Sequence, residues 1–414
     1  MSNFYGISEN KIREYARLVV RTGVNAQPGQ EIVISCPVEH YEFARLLIEE
    51  AYSAGAGEVI MKWSDSVETR QYYENASEEV LSTVPEWKAE SYNYYSRRGA
   101  GYISVSGSDP ESLKGVDPKK MHIRSAAMDK ALEEHYKLMM SSEIPWTVAA
   151  VPQKQWAKKV FPGLPKGKAV EKLWEAILSA SRVTDDPVKA WDEHNADLKK
   201  RCDYLNSLSI RSLHYTADNG TDLTVGMIPE AVFCGGGEVS RQGIFFNPNI
   251  PTEECFISPM RGQAEGIVYS TMPLSYNGQL IENFSLRFEN GKAVEAKAEK
   301  GEELLNTMIT MDEGAAYLGE CALVPQHSPI AESGLLFYET LFDENASCHL
   351  AMGAGYADTI RDHHSKTLQE CQDLGINDSM IHVDFMIGCD SMNIDAICED
   401  GKVVPIFRNG NWAF

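Results

Sequence analysis

The stretch Glu31-Ile-Val-Ile-Ser-Cys36 is a short, apolar, β-branched run typical of a buried strand. A helical pattern over residues 38–54 follows it, and the glycines of Ser53-Ala-Gly-Ala-Gly57 end that pattern. Glu58-Val-Ile-Met-Lys-Trp63 then reads as the next strand. Because strands that alternate with helices form parallel βαβ units, the sequence predicts a parallel α/β domain here.

The same alternation continues along the first half of the chain. Gly101-Tyr-Ile-Ser-Val-Ser106 and Trp146-Thr-Val-Ala-Ala-Val151 are two further strand candidates, and residues 153–200 are Lys-rich and helical. No GxGxxG or GxxxxGK[ST] motif occurs, so nucleotide binding is not predicted. We expect residues 1–200 to form one α/β domain.

The second half changes character, because turn dipeptides recur in it. Asn-Gly and Asp-Gly favour the type I′ hairpin turn, in which both central residues need positive φ. These dipeptides are Asn219-Gly220, Asn277-Gly278, Asn290-Gly291, Asp400-Gly401 and Asn409-Gly410. Helices are expected near residues 301–318 and 356–372. We therefore predict a β-rich, mixed α+β domain over residues 201–414, following the parallel α/β domain.

The charge of the 414-residue chain is strongly acidic and unevenly distributed. The net charge is −22, of which residues 1–200 carry −3 and residues 201–414 carry −19. An acidic half disfavours nucleic acid, whose binding requires Lys and Arg, but it is compatible with carboxylates around cations. No apolar run reaches the roughly 18–20 residues of a membrane span, and no signal peptide is evident. Nine scattered cysteines without a CxxC motif indicate a reducing, cytoplasmic setting.

The segment Ile381-His-Val-Asp-Phe-Met-Ile-Gly388 carries the clearest chemical signal. Side chains alternate along a strand, so His382 and Asp384 share one face, roughly 7 Å apart along the backbone. Neutral imidazole and carboxylate are ligands that divalent metals accept. The alternatives are a simple His–Asp hydrogen bond or a solvated face.

Three other segments of the second half offer metal-ligand residue types. Two prolines precede a pair of carboxylates in Asn247-Pro-Asn-Ile-Pro-Thr-Glu-Glu254, and a single acid, Glu320, lies in Tyr317-Leu-Gly-Glu-Cys-Ala-Leu-Val-Pro325. Phe342-Asp-Glu-Asn-Ala-Ser-Cys-His349 leads on to Tyr356. A loop glutamate is ordinarily just solvated, so each segment alone is a weak indication of a site.

Together these segments resemble the two-metal aminopeptidase family that includes aminopeptidase T, aminopeptidase S and aminopeptidase II. The resemblance covers essentially the whole C-terminal half, including Asp-Gly-Lys-Val-Val-Pro-Ile-Phe-Arg-Asn-Gly-Asn-Trp at residues 400–412. It implies a homodimeric hydrolase that releases N-terminal residues from peptides with a free N-terminus. It also implies two divalent ions per subunit, zinc or cobalt first, with manganese or magnesium as alternatives.

The resemblance also assigns roles to individual residues. The implied metal ligands are Glu254, Glu320, His349, His382 and Asp384. Glu320 is implied to bridge the two ions, and a metal-activated water is expected to attack the scissile carbonyl. Our own candidates for the base are Glu253 and Glu344, and Tyr356 is expected to donate a hydrogen bond to the oxyanion.

Two other functions remain compatible with these residues. A related two-metal amidohydrolase would act on a non-peptide amide, and a metal-stabilised binding protein would use the same ligands without catalysis. Structural zinc sites favour Cys-rich tetrahedral sets, whereas this set is rich in carboxylates. That difference favours an open catalytic site.

Overall fold

The computed structural model describes residues 4–276 and 279–414. Contacts divide the chain into two compact units, Met1–Glu193 with Gly237–Pro251 and His194–Gly236 with Thr252–Phe414. The sequence led us to expect a single division at residue 200. The units differ from that division because the segment Gly237–Pro251 returns to the first unit, where it adds a strand to the sheet.

The helices in chain order are α1 Glu9–Leu18, α2 Tyr41–Ser53, α3 Ser66–Asn75, α4 Glu78–Leu81, α5 Glu86–Arg97, α6 Pro118–Ala131, α7 Glu133–Met140, α8 Lys154–Val160, α9 Lys166–Ala180, α10 Pro187–Ser207, α11 Glu302–Met308, α12 Pro329–Ser333, α13 Thr340–Asp343 and α14 Leu368–Leu374. Within the described part of the chain, no helix combines the length and the apolar character that crossing a bilayer requires.

The strands in chain order are β1 Glu31–Pro37, β2 Glu58–Ser64, β3 Gly101–Ser106, β4 Trp146–Ala150, β5 Ile210–Thr216, β6 Asp222–Met227, β7 Glu238–Val239, β8 Phe245–Phe246, β9 Asn249–Ile250, β10 Cys255–Ile257, β11 Pro259–Tyr269, β12 Leu274–Tyr276, β13 Gln279–Glu289, β14 Lys292–Lys300, β15 Leu318–Leu323, β16 His349–Gly353, β17 His382–Met386, β18 Asn393–Cys398, β19 Val403–Arg408 and β20 Asn411–Trp412.

The first unit is built on a parallel sheet, as predicted. Its strand order is β2-β1-β3-β4-β9, and each neighbouring pair is parallel. Ile32, Val33 and Ile34 of β1 are fully buried. A strand that is apolar on both faces suits the interior of a parallel sheet, so the β-branched run of β1 explains its position between β2 and β3.

The second unit consists mainly of antiparallel sheets, which confirms the predicted change to a mixed α+β fold. One sheet runs β12-β13-β11-β6-β5-β18-β19-β20, with β14 added beside β13, and a smaller sheet runs β10-β15-β16-β17. The two sheets contribute to a common hydrophobic core. In that core the rings of Phe284 on β13 and Phe385 on β17 lie 5.7 Å apart between centroids.

Two of the predicted hairpin turns have the expected backbone, whereas at Asn219-Gly220 and Asp400-Gly401 only the glycine has a positive φ, so the type I′ prediction is wrong there. Asn290 and Gly291, between β13 and β14, have φ angles of 50° and 78°. Asn409 and Gly410, between β19 and β20, have φ angles of 51° and 72°. Positive φ at both central residues is the requirement of a type I′ turn. The predicted turn at Asn277-Gly278 lies outside the described residues.

Both helices predicted in the second half were placed too broadly. The helix expected near residues 301–318 ends at Met308, since the Asp312 carboxylate accepts hydrogen bonds from the distant Ser379 hydroxyl and Met380 backbone nitrogen. The helix expected near residues 356–372 is two short 3₁₀ turns and then α14, which a capping box at Thr367 begins.

Candidate metal centre

The sheet β10-β15-β16-β17 brings the predicted ligands together. Glu320 on β15 and Asp384 on β17 both pair with Ala351 on the strand between them. Directly paired residues of an antiparallel sheet lie on the same face, so the two carboxylates flank one small side chain. The space left above Ala351 is where the site can form. His349 and His382 extend from the same face, because each is an even number of residues from this row.

The candidate ligand atoms fall into two groups. Glu254, Glu320 and His349 have one ligand atom each within 4.8 Å of one another, and Glu320, His382 and Asp384 meet the same limit. Glu254 enters the first group from the residue that directly precedes β10. Glu320 is common to both groups, and it is buried.

The histidine tautomers are fixed by backbone carbonyls. Nδ1 of His382 lies 2.7 Å from the carbonyl oxygen of Ala354, and a carbonyl can only accept a hydrogen bond. Nδ1 therefore carries a proton, and in the neutral imidazole Nε2 presents a lone pair. That Nε2 lies 3.1 Å from Oε2 of Glu320 and 3.2 Å from Oδ1 of Asp384. A lone pair that faces two carboxylates needs a positive charge between them.

His349 repeats this arrangement. Its Nδ1 lies 3.2 Å from the carbonyl oxygen of Ser347, and its Nε2 lies 3.3 Å from Oε2 of Glu254. Metal-binding histidines are typically oriented in this way, with the distal N–H donated to a carbonyl and the other nitrogen left for the ion. Both imidazoles of the site thus have the orientation that a metal ligand needs.

Electrostatics supports a requirement for positive charge. Burial, together with the negative charges of Glu254 and Asp384, raises the pKa of Glu320 to about 7. Burial lowers the pKa of His349, but the Glu254 carboxylate outweighs burial and raises it to about 10. His382 behaves in the same way, since Asp384 and Glu320 raise its pKa well above the usual value despite burial. Protons or a divalent cation can supply the missing charge.

One buried atom points specifically to a cation. Oδ1 of Asp384 is buried and accepts no hydrogen bond within the described part of the chain, although it lies 3.2 Å from Nε2 of His382. Buried carboxylate oxygens normally have a partner, so this one calls for a ligand. The donor set of carboxylate oxygens and imidazole nitrogens fits a divalent metal ion.

Tyr356 and Glu344 both lie beside these groups. The Tyr356 hydroxyl lies 3.1 Å from Nε2 of His382, and burial with the surrounding carboxylates raises its pKa well above the usual value. Glu344 lines a cavity together with Asp384. Burial and the negative charges of Asp384 and Glu254 raise the pKa of Glu344 well above its ordinary range.

The other base candidate, Glu253, has a different environment. Its side chain is buried, and its Oε2 lies 3.9 Å from Nε2 of His194. That same Nε2 lies 2.8 Å from the carbonyl oxygen of Thr252. Glu253 belongs to neither ligand group within the described residues. The two candidates therefore differ in position, with Glu344 on the cavity beside Asp384 and Glu253 next to an imidazole.

Sequence reasoning missed two residues that support the site. His194 lies in the N-terminal half of α10, where nothing in the surrounding helical pattern marks it. Asn345 is fully buried, and its amide nitrogen donates to the Leu341 carbonyl and to Oε1 of Glu344. In the sequence, the one indication that Asn345 belongs to the site was its position in the segment that links Glu344 with His349.

Known proteins are similar to this chain in both sequence and structure. A family model described as thermophilic metalloprotease (M29) matches residues 8–412. Aminopeptidase AmpS of Bacillus subtilis is 46% identical over 98% of each chain, and Aminopeptidase 2 of Geobacillus stearothermophilus is 42% identical over 98% of each chain. The solved structure of wild-type AmpT from Thermus thermophilus superposes with a TM-score of 0.91 at 39% identity, covering 98% of this chain and 100% of that one.

Proposed function

Because this chain belongs to the thermophilic metalloprotease (M29) family, as its motifs predicted, we propose that it is a metal-dependent aminopeptidase. Its substrates would be peptides with a free N-terminus, from which it releases the first residue. The observation that carries this proposal is the pair of ligand groups that share Glu320. A carboxylate common to two ligand groups can bind two neighbouring ions, and two-metal sites occur in aminopeptidases.

We assign the ligands by group. Glu254 and His349 would hold one divalent ion, His382 and Asp384 would hold the other, and Glu320 would bridge them. Zinc or cobalt suits the mixed nitrogen and oxygen donors first, and manganese or magnesium is also compatible. When bound, such ions lower the pKa of a bound water toward ~7 and polarise a carbonyl group.

Two side chains would then act on the substrate. We assign Tyr356 as the hydrogen-bond donor to the carbonyl oxygen on which negative charge develops, because its raised pKa keeps the phenol protonated. We assign Glu344 as the proton carrier between water and leaving amine, in preference to Glu253. Glu344 lines the cavity that Asp384 also lines, whereas Glu253 lies beside His194.

The alternatives are less well supported by this site. A structural metal site would be closed and rich in cysteine, yet neither ligand group contains a cysteine. The adjoining cavity gives a substrate room to approach. A two-metal amidohydrolase acting on a non-peptide amide would use the same residues, so substrate profiling must separate it from an aminopeptidase.

Hydrolysis of leucyl p-nitroanilide beside its N-acetylated counterpart tests the proposal. Both substrates are assayed after chelator treatment and again after zinc, cobalt, manganese or magnesium is added. We expect cleavage of the free-amine substrate alone, lost on chelation and restored by metal. Equal cleavage of both substrates would favour the amidohydrolase, and no cleavage with any metal would favour the binding protein.

We also propose a cytoplasmic homodimer. The cysteines are free thiols, which suits a reducing compartment. The dimer is proposed on the family resemblance alone. Sedimentation of the purified protein tests the oligomeric state directly.

A further inference from the structure

A small cavity adjoins the candidate metal centre within the second unit. Its volume is about 100 Å³. Asp384 and Glu344 line it on the side of the ligand groups. Met386, two residues after Asp384 on β17, extends from the same face of the strand and lines it too. A substrate held at the metal centre would therefore have this cavity beside it.

Part of the remaining wall is aliphatic. Leu274 on β12, Leu280 on β13 and Leu336 contribute branched side chains, and Met386 contributes a flexible one. Apolar walls with a few polar groups at one end are the usual design of a pocket that binds a ligand. Two of the polar lining residues, Asp384 and Glu344, are already assigned to the reaction, and the others include Glu339 and Asp343.

One wall residue has an unusual backbone. Tyr338 has a φ of 58°, in the left-handed region that side-chain-bearing residues rarely adopt. The Asp343 carboxylate holds it there, since Oδ1 accepts a hydrogen bond from the Phe337 backbone nitrogen and Oδ2 accepts one from that of Glu339. Backbone strain that the surroundings maintain is concentrated at functional sites. The strained backbone of Tyr338, a residue of the cavity lining, is therefore consistent with a functional role for this wall.

The size of the cavity limits what it can bind. An apolar cavity of about 150 Å³ holds benzene. At about 100 Å³, this cavity has room for the isobutyl group of leucine but not for the indole ring of tryptophan. Four carboxylates, those of Glu339, Asp343, Glu344 and Asp384, also line it. An acidic side chain would be repelled by them.

We propose that this cavity binds the side chain of the substrate's first residue and selects medium-sized aliphatic side chains over indole and acidic ones. The inference rests on the proposed aminopeptidase activity, because only then does an N-terminal residue lie at the metal centre. We assign the upper size limit to Leu336, because its side chain forms part of the cavity wall. Leu336 belongs to neither ligand group, so shortening it enlarges the cavity without removing a ligand.

The test compares specificity within each variant. Leucyl, tryptophanyl, aspartyl and lysyl p-nitroanilides are assayed with wild type, Leu336→Ala and Leu335→Ala, all loaded with metal. Leu335 is the adjacent leucine outside the cavity lining, so it is the matched control. Because the ratio of kcat/KM for two substrates cancels the amount of active enzyme, partial misfolding of a variant does not affect it.

We expect wild type to favour leucyl over aspartyl substrate by at least about 100-fold. Leu336→Ala should raise the tryptophanyl-to-leucyl ratio by about 10-fold or more, since it removes wall volume, and Leu335→Ala should leave the ratio unchanged. Calorimetric binding of free leucine and tryptophan, the reaction products, should show the same change of preference without any turnover.

The other outcomes are equally informative. Unchanged ratios in Leu336→Ala, with leucyl substrate still cleaved, would overturn the pocket and leave the aminopeptidase proposal intact. Wild-type preference for lysyl over leucyl substrate would overturn it as well, in favour of an acidic subsite. If wild type cleaves no free-amine substrate with any metal, the aminopeptidase proposal fails, and the pocket inference fails with it.

Discussion

The side-chain oxygen of Asn345 accepts a hydrogen bond from the backbone nitrogen of Glu253 at 2.7 Å. The amide nitrogen of the same Asn345 lies 3.3 Å from Oε1 of Glu344. One fully buried side chain thus connects the loop that carries Glu254 with the proposed proton carrier. The two segments are 92 residues apart in sequence, so Asn345 is a positioning residue that aligns a ligand with Glu344.

Replacing Asn345 should weaken metal binding. In Asn345→Ala the buried Glu253 N–H loses its acceptor, which costs about 1–3 kcal/mol and releases the loop before Glu254. Loss of a side chain that only supports a ligand typically lowers metal affinity ~10–100-fold, and we expect a loss in that range. Competition with a chromophoric chelator measures it.

The matched control for this variant is Asn206→Ala. Asn206 also makes two hydrogen bonds to the backbone of one residue, Phe233, and it belongs to neither ligand group. We expect it to lower stability while keeping wild-type metal affinity. Equal metal affinity in both variants would rule out a positioning role for Asn345.

Glu320→Gln should remove both ions. The substitution keeps the size of the side chain but removes the negative charge that both ligand groups share. We expect elemental analysis to find less than one ion per subunit. Loss of a residue that only supports a ligand typically costs ~10–100-fold, and we expect kcat/KM of Glu320→Gln to fall by more than that. His382→Ala should have a similar effect on activity.

Two variants serve as controls for the ligand substitutions. Glu282→Gln removes a carboxylate that pairs with Lys300 on the surface, and His363→Ala removes an imidazole outside both ligand groups. Both should retain metal and activity. Wild-type kinetics in metal-loaded Glu320→Gln would refute the assigned centre.

Tyr356→Phe should reduce turnover without loss of metal. The phenol is proposed to donate a hydrogen bond only as charge develops on the substrate oxygen, so its removal should lower kcat ~10²–10³-fold with little change in KM. Metal content should stay at the wild-type level, which separates this variant from Glu320→Gln. Tyr204→Phe, which removes a hydroxyl elsewhere in the second unit, should behave as wild type. A tenfold rise in KM at constant kcat would instead assign Tyr356 to substrate binding.

The first unit should lose stability on acidification because of His135. Burial, with a smaller contribution from Lys62, lowers the pKa of His135 to about 4. The unfolded chain therefore takes up a proton near pH 6.5, whereas the folded chain does so only near pH 4. The free energy of unfolding should fall by up to about 3 kcal/mol between these values.

His135→Gln tests this contribution. Glutamine does not titrate and retains a polar group near the Ser96 hydroxyl, which lies 2.7 Å from Nδ1 of His135. Denaturant unfolding from pH 7.5 to pH 4.5 should show a shallower loss of stability in this variant. His122→Gln, a change at an exposed position of α6, should retain the wild-type slope. Equal slopes in all three proteins would show that His135 does not contribute.

Local patterns predicted much of the fold. The strand expected at residues 101–106 is β3, and Asn290-Gly291 and Asn409-Gly410 form the expected turns, since both depend on neighbours in sequence. Alternation on β17 also placed His382 and Asp384 on one face. The end of α11 was not predictable, because Asp312 reaches Met380 across 68 residues. Likewise, the burial of Glu254 in a loop and its support through Asn345 depend on tertiary contacts that no local pattern contains.

The short strand β9 has a consequence for synthesis of the chain. It completes the parallel sheet beside β4, yet it follows β5 and β6 of the other unit in sequence. A ribosome therefore releases the first two strands of the second unit while the β4 edge of the first sheet is still unpaired. Expression fragments that end near residue 200 would keep that edge open, and an unpaired edge strand invites aggregation. Truncations meant to isolate the first unit should therefore retain Gly237–Pro251, for example through a designed connection.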